Sequence, residues 1–179
     1  MTAKKKIPVV VLYGSMASIG MIGVTIMTYL EGPLAFIGGP AYSMYVFPIV
    51  FSIVAALAEK KRRGGLLGFR QALKACFGVI VLSLTVQTIF TLILVKWIDP
   101  HFGRTLPGIV MAKMEATYRR FGVPEDEIAK SLADQKNTNP FDPGPMLWGL
   151  ALKFVAGFPI AALFAAVIGQ RLMNRDQKG

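Results

Sequence analysis

A single lysine stands inside an apolar stretch, and its chemistry is the most distinctive that this chain offers. Lys153 falls about seven residues into the apolar run 146–168, which places it roughly 10 Å along a helix at 1.5 Å per residue. A charged group at that depth in a membrane is costly and marks ion pathways, proton relays and binding sites. Its i, i+4 row is otherwise built of small residues, namely Gly149, Gly157, Ala161, Ala165 and Gly169.

Small residues at helical spacing favour close packing between membrane helices. The row therefore predicts that Lys153 points into a bundle of helices. The alternative is that the long aliphatic stem of Lys153 lets its ammonium group snorkel to the headgroups at the membrane surface.

A row of polar side chains on another apolar run complements this lysine. Ser83, Gln87 and Thr91 follow one another at i, i+4 spacing, and Thr91 is expected near the depth of Lys153. Together the four residues could line a polar path or a small cleft, which predicts a small transporter or channel for an ion or anionic solute. In the alternative, the row only makes hydrogen bonds between helices, at about 0.6 kcal/mol each.

Other reactive residues are few. The chain has one histidine, His101, and one cysteine, Cys76, so an intramolecular disulfide and a His/Cys metal cluster are both excluded. Acid–base catalysis at His101 would need a positioned partner, and Asp99 is interpreted as a turn residue. We therefore expect no catalytic residue, no metal and no cofactor. A membrane enzyme with His101 and carboxylates in one outer pocket is the least favoured alternative.

Four apolar runs organise the chain. Hydrophobic residues make up 54% of it, charged residues only 17%, and the mean hydropathy is +0.52. Each run approaches or exceeds the roughly 20 residues that cross a bilayer. The first is too long for the core of a cleaved signal peptide, the competing interpretation. The sequence predicts an all-α, single membrane domain over 1–179, with helices at about 7–30, 42–58, 68–97 and 146–170.

The charge distribution predicts an orientation. The N-terminus, the 59–74 link and the C-terminal tail hold twelve basic and two acidic residues, whereas the rest of the chain holds eight of each. Lys and Arg near span ends mark the cytoplasmic side. Both termini are therefore expected in the cytoplasm of a bacterium, and residues 98–144 in the periplasm. The cations expected at anionic lipid headgroups are Lys60, Lys61, Arg62, Arg63, Arg70 and Lys74.

The net charge of +10 does not predict nucleic-acid binding, because the basic residues flank apolar runs. The polar segment 98–144 is predicted to form an external helical hairpin. Its helices are expected at 106–120 and 125–135, with a stop at Gly122. Its apolar face packs over the outer ends of the bundle, lies in the headgroup plane of the membrane, or binds a partner. The sequence does not separate these alternatives.

Two short motifs resemble a known family. Gly68-Phe69-Arg70-Gln71-Ala72-Leu73-Lys74 leads into an apolar helix that exits as Ile98-Asp99-Pro100-His101-Phe102. An amphipathic segment and a proline-rich approach to the last helix follow. This order resembles the bacterial four-helix membrane family catalogued as domain of unknown function 4199, which implies a topology and no activity.

These observations predict a non-enzymatic integral membrane protein. A structural or accessory role is favoured, as a subunit of a homo-oligomer or of a larger membrane complex. The first predicted span, with Gly14 and Ser18, and the last one carry rows of small residues that support this. The lipid bilayer, other membrane subunits and anionic lipids are the expected partners. Transport through Lys153 and the polar row is the second hypothesis.

Overall fold

Helices account for the secondary structure of the described chain. The structure is a computed structural model that describes residues 7–135 and 139–169. Within these residues there is no strand. The helices are α1 (Val9–Glu31), α2 (Pro33–Phe36), α3 (Val46–Arg62), α4 (Phe69–Ile93), α5 (Pro100–Arg120), α6 (Glu125–Gln135) and α7 (Pro143–Gly169). A 3-10 segment, Pro40–Tyr45, precedes α3, and a π-helical segment, Leu94–Ile98, extends α4.

Four of these helical stretches are long and apolar enough to cross a membrane. They are Val9–Glu31, Pro40–Arg62, Phe69–Ile98 and Pro143–Gly169, with 23, 23, 30 and 27 residues. The prediction of an all-α membrane protein with four spans is confirmed. Lys4, Lys5 and Lys6 and the tail 170–179, on which the predicted orientation partly rests, lie outside the described residues, as do residues 136–138.

The ends of the helices follow local chemistry. Gly32 ends α1 with φ of 108°, a backbone conformation that side chains with a Cβ rarely adopt. The helix predicted over 106–120 begins six residues earlier, at Pro100. Asp99 caps it by accepting a hydrogen bond from the Phe102 N–H, and proline at the first position gives up no helical hydrogen bond. The predicted start of this helix at Leu106 is therefore wrong by six residues.

The described chain divides into two compact units. Among the described residues, the first comprises 7–23, 44–87 and 150–169. Its main core brings together side chains from four long helices, which makes it a helical bundle. The core residues are Met21 of α1, Ala56 of α3, Ala75, Cys76, Ile80 and Leu84 of α4, and Leu150 and Ala161 of α7. Glycines allow close approach here: a Cβ on Gly20 would lie 2.2 Å from a ring carbon of Phe47.

The second unit comprises, of the described residues, 24–43, 88–135 and 139–149. Phe102 of α5 lies at its centre, with edge-to-face ring contacts to Tyr29 and Phe36 at centroid distances of 4.8 and 5.2 Å. The start of α5 packs on the π-helical segment. Arg119 links α5 to α6 through its ion pair with Glu125 at 3.2 Å. The two helices of the predicted hairpin are thus present.

Candidate functional site

Lys153 lies on an exposed face of α7, so the prediction that it points into the bundle is wrong. Its row neighbours Gly157, Ala161 and Ala165 are buried, whereas Lys153 is exposed. The reason is geometric. At 3.6 residues per turn, each i, i+4 step rotates the side chain by about 40°. Lys153 therefore points about 80° away from the direction of Ala161, which is enough to leave the packed face.

The surroundings of Lys153 are apolar. Leu152 and Val155 on the same helix are 53% and 71% exposed. Among the described residues, Lys153 takes part in no hydrogen bond and no ion pair. It follows the start of α7 by ten residues, or about 15 Å at 1.5 Å per residue. The ammonium group thus belongs to a stretch of α7 that the hydrocarbon core of a bilayer would surround.

The predicted polar row lies on α4. Two of its three residues, Ser83 and Gln87, are buried. Ser83 is fully buried, and its hydroxyl donates to the backbone carbonyl of Ile80 at 3.1 Å, within the same helix. Gln87 is 6% exposed and Thr91 is half-buried. No hydrogen bond among the described residues joins Lys153 to this row. The described structure therefore does not join Lys153 and the polar row into one site, as the transport hypothesis requires.

Basic side chains line a cavity of about 570 Å³ in the first unit, which we name the basic cavity. Pro8, Val9 and Val10 at the start of α1 supply an apolar wall. The end of α3 supplies Glu59, Arg62 and Arg63, and the start of α4 supplies Gln71, Lys74 and Ala75. The cavity therefore combines a cationic rim with an apolar wall.

The charges in the basic cavity do not cancel. The Glu59 carboxylate accepts from Arg63 Nε at 2.7 Å and lies 3.6 Å from Nη1 of Arg62. The described lining holds three cations, Arg62, Arg63 and Lys74, against this one carboxylate, so its net charge is +2. Lys74 makes no ion pair with the described residues. An anion therefore meets uncompensated positive charge at the cavity.

The six cations predicted at lipid headgroups separate into three groups. Arg62, Arg63 and Lys74 line the basic cavity. Lys60 is engaged elsewhere, because its ammonium donates to the backbone carbonyl of Ile168 at 2.9 Å, near the end of α7. Lys61 and Arg70 are exposed outside the cavity lining. The contribution of α1 to the cavity was not predicted from the sequence.

Asp99 is a structural residue. Its Oδ1 accepts from the Phe102 N–H at 2.9 Å and its Oδ2 from the Tyr29 hydroxyl at 2.9 Å. These two hydrogen bonds, the former being the stronger cause, and the nearby His101 hold the pKa of Asp99 below its usual range. The interpretation of Asp99 as a turn residue is confirmed, and its carboxylate is already engaged rather than available to His101, which is exposed.

The comparison with protein families agrees with the sequence motifs. The family described as "Protein of unknown function (DUF4199)" matches residues 11–174. The chain belongs to this family. Comparisons with curated proteins and with solved structures find no match.

In this family member, the two recognised motifs have clear structural roles. The motif 68–74 starts α4 and contributes Gln71 and Lys74 to the basic cavity. The motif 98–102 ends the π-helical segment and starts α5 through the Asp99 cap. Among the described residues, no group of three His, Cys, Asp or Glu side chains could hold a metal ion.

Proposed function

We propose that this protein is a non-enzymatic accessory subunit of a larger membrane complex, and that α7 docks against a partner through the face that carries Lys153. The proposed setting is the cytoplasmic membrane of a bacterium, with both termini in the cytoplasm and residues 98–144 in the periplasm. The unequal distribution of basic residues supports this orientation.

One observation carries the proposal: Lys153 is exposed on a membrane-spanning helix without a counter-charge among the described residues. On insertion scales a lysine costs about 2.5–3.5 kcal/mol at the centre of a membrane helix. Lys153 lies ten residues into the 27 of α7, so part of that cost applies to it. Burial against a carboxylate of a neighbouring helix removes much of that cost. A partner that supplies this carboxylate therefore gains orientation and specificity from the same contact.

The partner is a different protein rather than a second copy. The ten acidic residues of this chain leave the interiors of all four spans free of Asp and Glu. Glu31 is the last residue of α1, Glu59 lies three residues from the end of its span, and the other two spans contain no acid. A homo-oligomer thus cannot place a carboxylate at the depth of Lys153. The complementary chain must bring an intramembrane Asp or Glu.

Site-specific cross-linking tests this proposal. A photo-reactive amino acid replaces Ala156, which is exposed one turn from Lys153, and the extracted complex is analysed by mass spectrometry. The expected product joins α7 to a helix of another protein that carries an intramembrane carboxylate. Lys153→Met should abolish the product and Lys153→Arg should retain it. The same probe at Val11, exposed on α1, is the control and should not yield that product.

A charge exchange makes the test decisive. Lys153→Glu should break the complex, and changing the partner carboxylate to lysine should restore it. Snorkelling of Lys153 to the headgroups predicts a cross-link pattern that Lys153→Met leaves unchanged, which would refute the proposal. Flux of an ion or anionic solute through the reconstituted protein, lost in Lys153→Ala, would instead establish the transport hypothesis.

A further inference from the structure

We propose that the basic cavity binds the phosphate of an anionic phospholipid, with the headgroup between the ends of α1, α3 and α4. This inference is independent of the proposed docking face on α7. It assigns a ligand to the three cations that line the cavity, Arg62 and Arg63 at the end of α3 and Lys74 at the start of α4. The chemistry recognised is a phosphate group with an adjoining hydrocarbon chain.

The shape of the cavity fits such an amphiphile. Its polar part is formed by Arg62, Arg63 and Lys74, and its apolar part by Pro8, Val9 and Ala75. Arginine presents planar donors that match phosphate oxygens, and lysine adds a mobile point charge. The apolar wall offers the start of an acyl chain a surface that a soluble phosphate would not use. This wall favours the lipid as the source of the phosphate.

The position of the cavity along the helices also fits. It lies where α1 begins, where α3 ends and where α4 begins. These are ends of membrane spans, and the phosphates of a bilayer lie at that level. Basic pockets between membrane helices are known to bind anionic headgroups.

Glu59 sets how strongly the cavity attracts an anion. Its carboxylate lies against both arginines, at 2.7 Å from Arg63 Nε and 3.6 Å from Arg62 Nη1. A phosphate must compete with this carboxylate for the same donors. Removing the charge of Glu59 should therefore strengthen binding, whereas removing Arg62 or Lys74 should weaken it.

The test is a lipid titration of the full chain, monitored by native mass spectrometry in detergent. Phosphatidylglycerol is the probe, with phosphatidylcholine as the zwitterionic comparison and glycerol 3-phosphate as the soluble one. The paired substitution Arg62→Gln and Lys74→Gln should weaken phosphatidylglycerol binding by roughly fivefold for each cation removed. Glu59→Gln should strengthen it.

The matched control is Lys61→Gln with Arg70→Gln. It removes the same charge from exposed positions outside the cavity lining. It should change binding by less than about twofold, because neither side chain lines the cavity and salt screens exposed charges. An equal loss in this control would overturn the site, because the attraction would then be uniform. If glycerol 3-phosphate displaced phosphatidylglycerol completely, a soluble phosphate would suffice, and the proposal that the bound phosphate belongs to a lipid would be overturned. Weaker binding in Glu59→Gln would contradict the proposed geometry even if the paired variant failed to fold.

Discussion

The Tyr29 hydroxyl donates a hydrogen bond to Oδ2 of Asp99 at 2.9 Å, although 70 residues separate them in the chain. The other oxygen of the same carboxylate caps α5. The Asp99 side chain thus fixes the direction in which α5 leaves the π-helical segment. It also holds the start of α5 against the end of α1. The rings of Tyr29 and Phe102 also meet edge to face.

Replacing Tyr29 by phenylalanine isolates the contribution of that hydrogen bond. The ring contact with Phe102 is kept, and Asp99 still caps α5. We expect the thermal midpoint to fall by about 2–4 °C, the usual consequence of losing one such interaction in a chain of this size. Asp99→Ala should lower it further, because it removes the cap as well. Differential scanning fluorimetry in detergent measures both. Equal midpoints for Tyr29→Phe and wild type would show that the hydrogen bond does not stabilise the fold.

The lowered pKa of Asp99 also predicts that the stability of the fold depends on pH. The pKa of Asp99 is lowered in the folded chain by the Phe102 N–H and the Tyr29 hydroxyl. A lowered pKa stabilises the fold above the ordinary pKa of aspartate, and the stabilisation is lost as the pH falls through the folded value. Asp99→Asn should therefore be less stable than wild type at pH 7. The gap should narrow as the pH falls below about 4, because the Asp99 carboxylate of the unfolded wild-type chain then binds a proton before that of the folded chain does.

Thermal midpoints of Asp99→Asn and wild type, measured across that pH range, check this prediction. Tyr29→Phe serves as a second comparison, since it removes one cause of the lowered pKa and keeps the carboxylate. A gap between Asp99→Asn and wild type that stays constant from pH 7 to pH 3 would mean that the charge of Asp99 contributes nothing.

Gly103 marks the closest approach of α5 to the π-helical segment. A Cβ there would lie 2.2 Å from the backbone carbonyl oxygen of Val95, an atom that cannot move aside easily. Gly103→Ala should therefore destabilise the fold by about 1–3 kcal/mol, as overpacking does. Gly108 on the same helix is exposed, and a Cβ there meets no atom within 4 Å.

Gly108→Ala is thus the matched control for Gly103→Ala. It should stabilise α5 by up to about 1 kcal/mol, because alanine favours the helix over glycine. Denaturation in mixed detergent micelles gives both free energies. Opposite signs are expected for the two variants. If Gly103→Ala were neutral, the close contact with Val95 would not exist in the folded protein.

The sequence predicted most of the features that depend on neighbouring residues. Hydropathy located the four spans, and Asp99 was correctly interpreted as a turn residue. Features that depend on how separate helices meet were not predicted. No residue near Tyr29 in the sequence indicates that its hydroxyl donates a hydrogen bond to Asp99. The basic cavity forms only where the ends of three helices come together.

The prediction for Lys153 shows how a local pattern misleads. The small residues in its row pack as expected at Gly157, Ala161 and Ala165. The row itself winds around α7 by about 40° at each step. Sharing a row with buried residues therefore did not make Lys153 buried. An i, i+4 pattern on one helix therefore predicts whether a side chain is buried only when it is known how much of the helix surface packs against its neighbours.

Selective labelling tests the proposed orientation. Cys76 is buried and can be replaced by serine to give a cysteine-free chain. A membrane-impermeant maleimide added to intact cells should label cysteine at Phe121, which is 80% exposed in the polar segment. Cysteine at Lys61, exposed at the end of α3, should react only after permeabilisation, because the proposed orientation places the basic link in the cytoplasm. The reverse pattern would invert the topology and place the basic cavity on the periplasmic side.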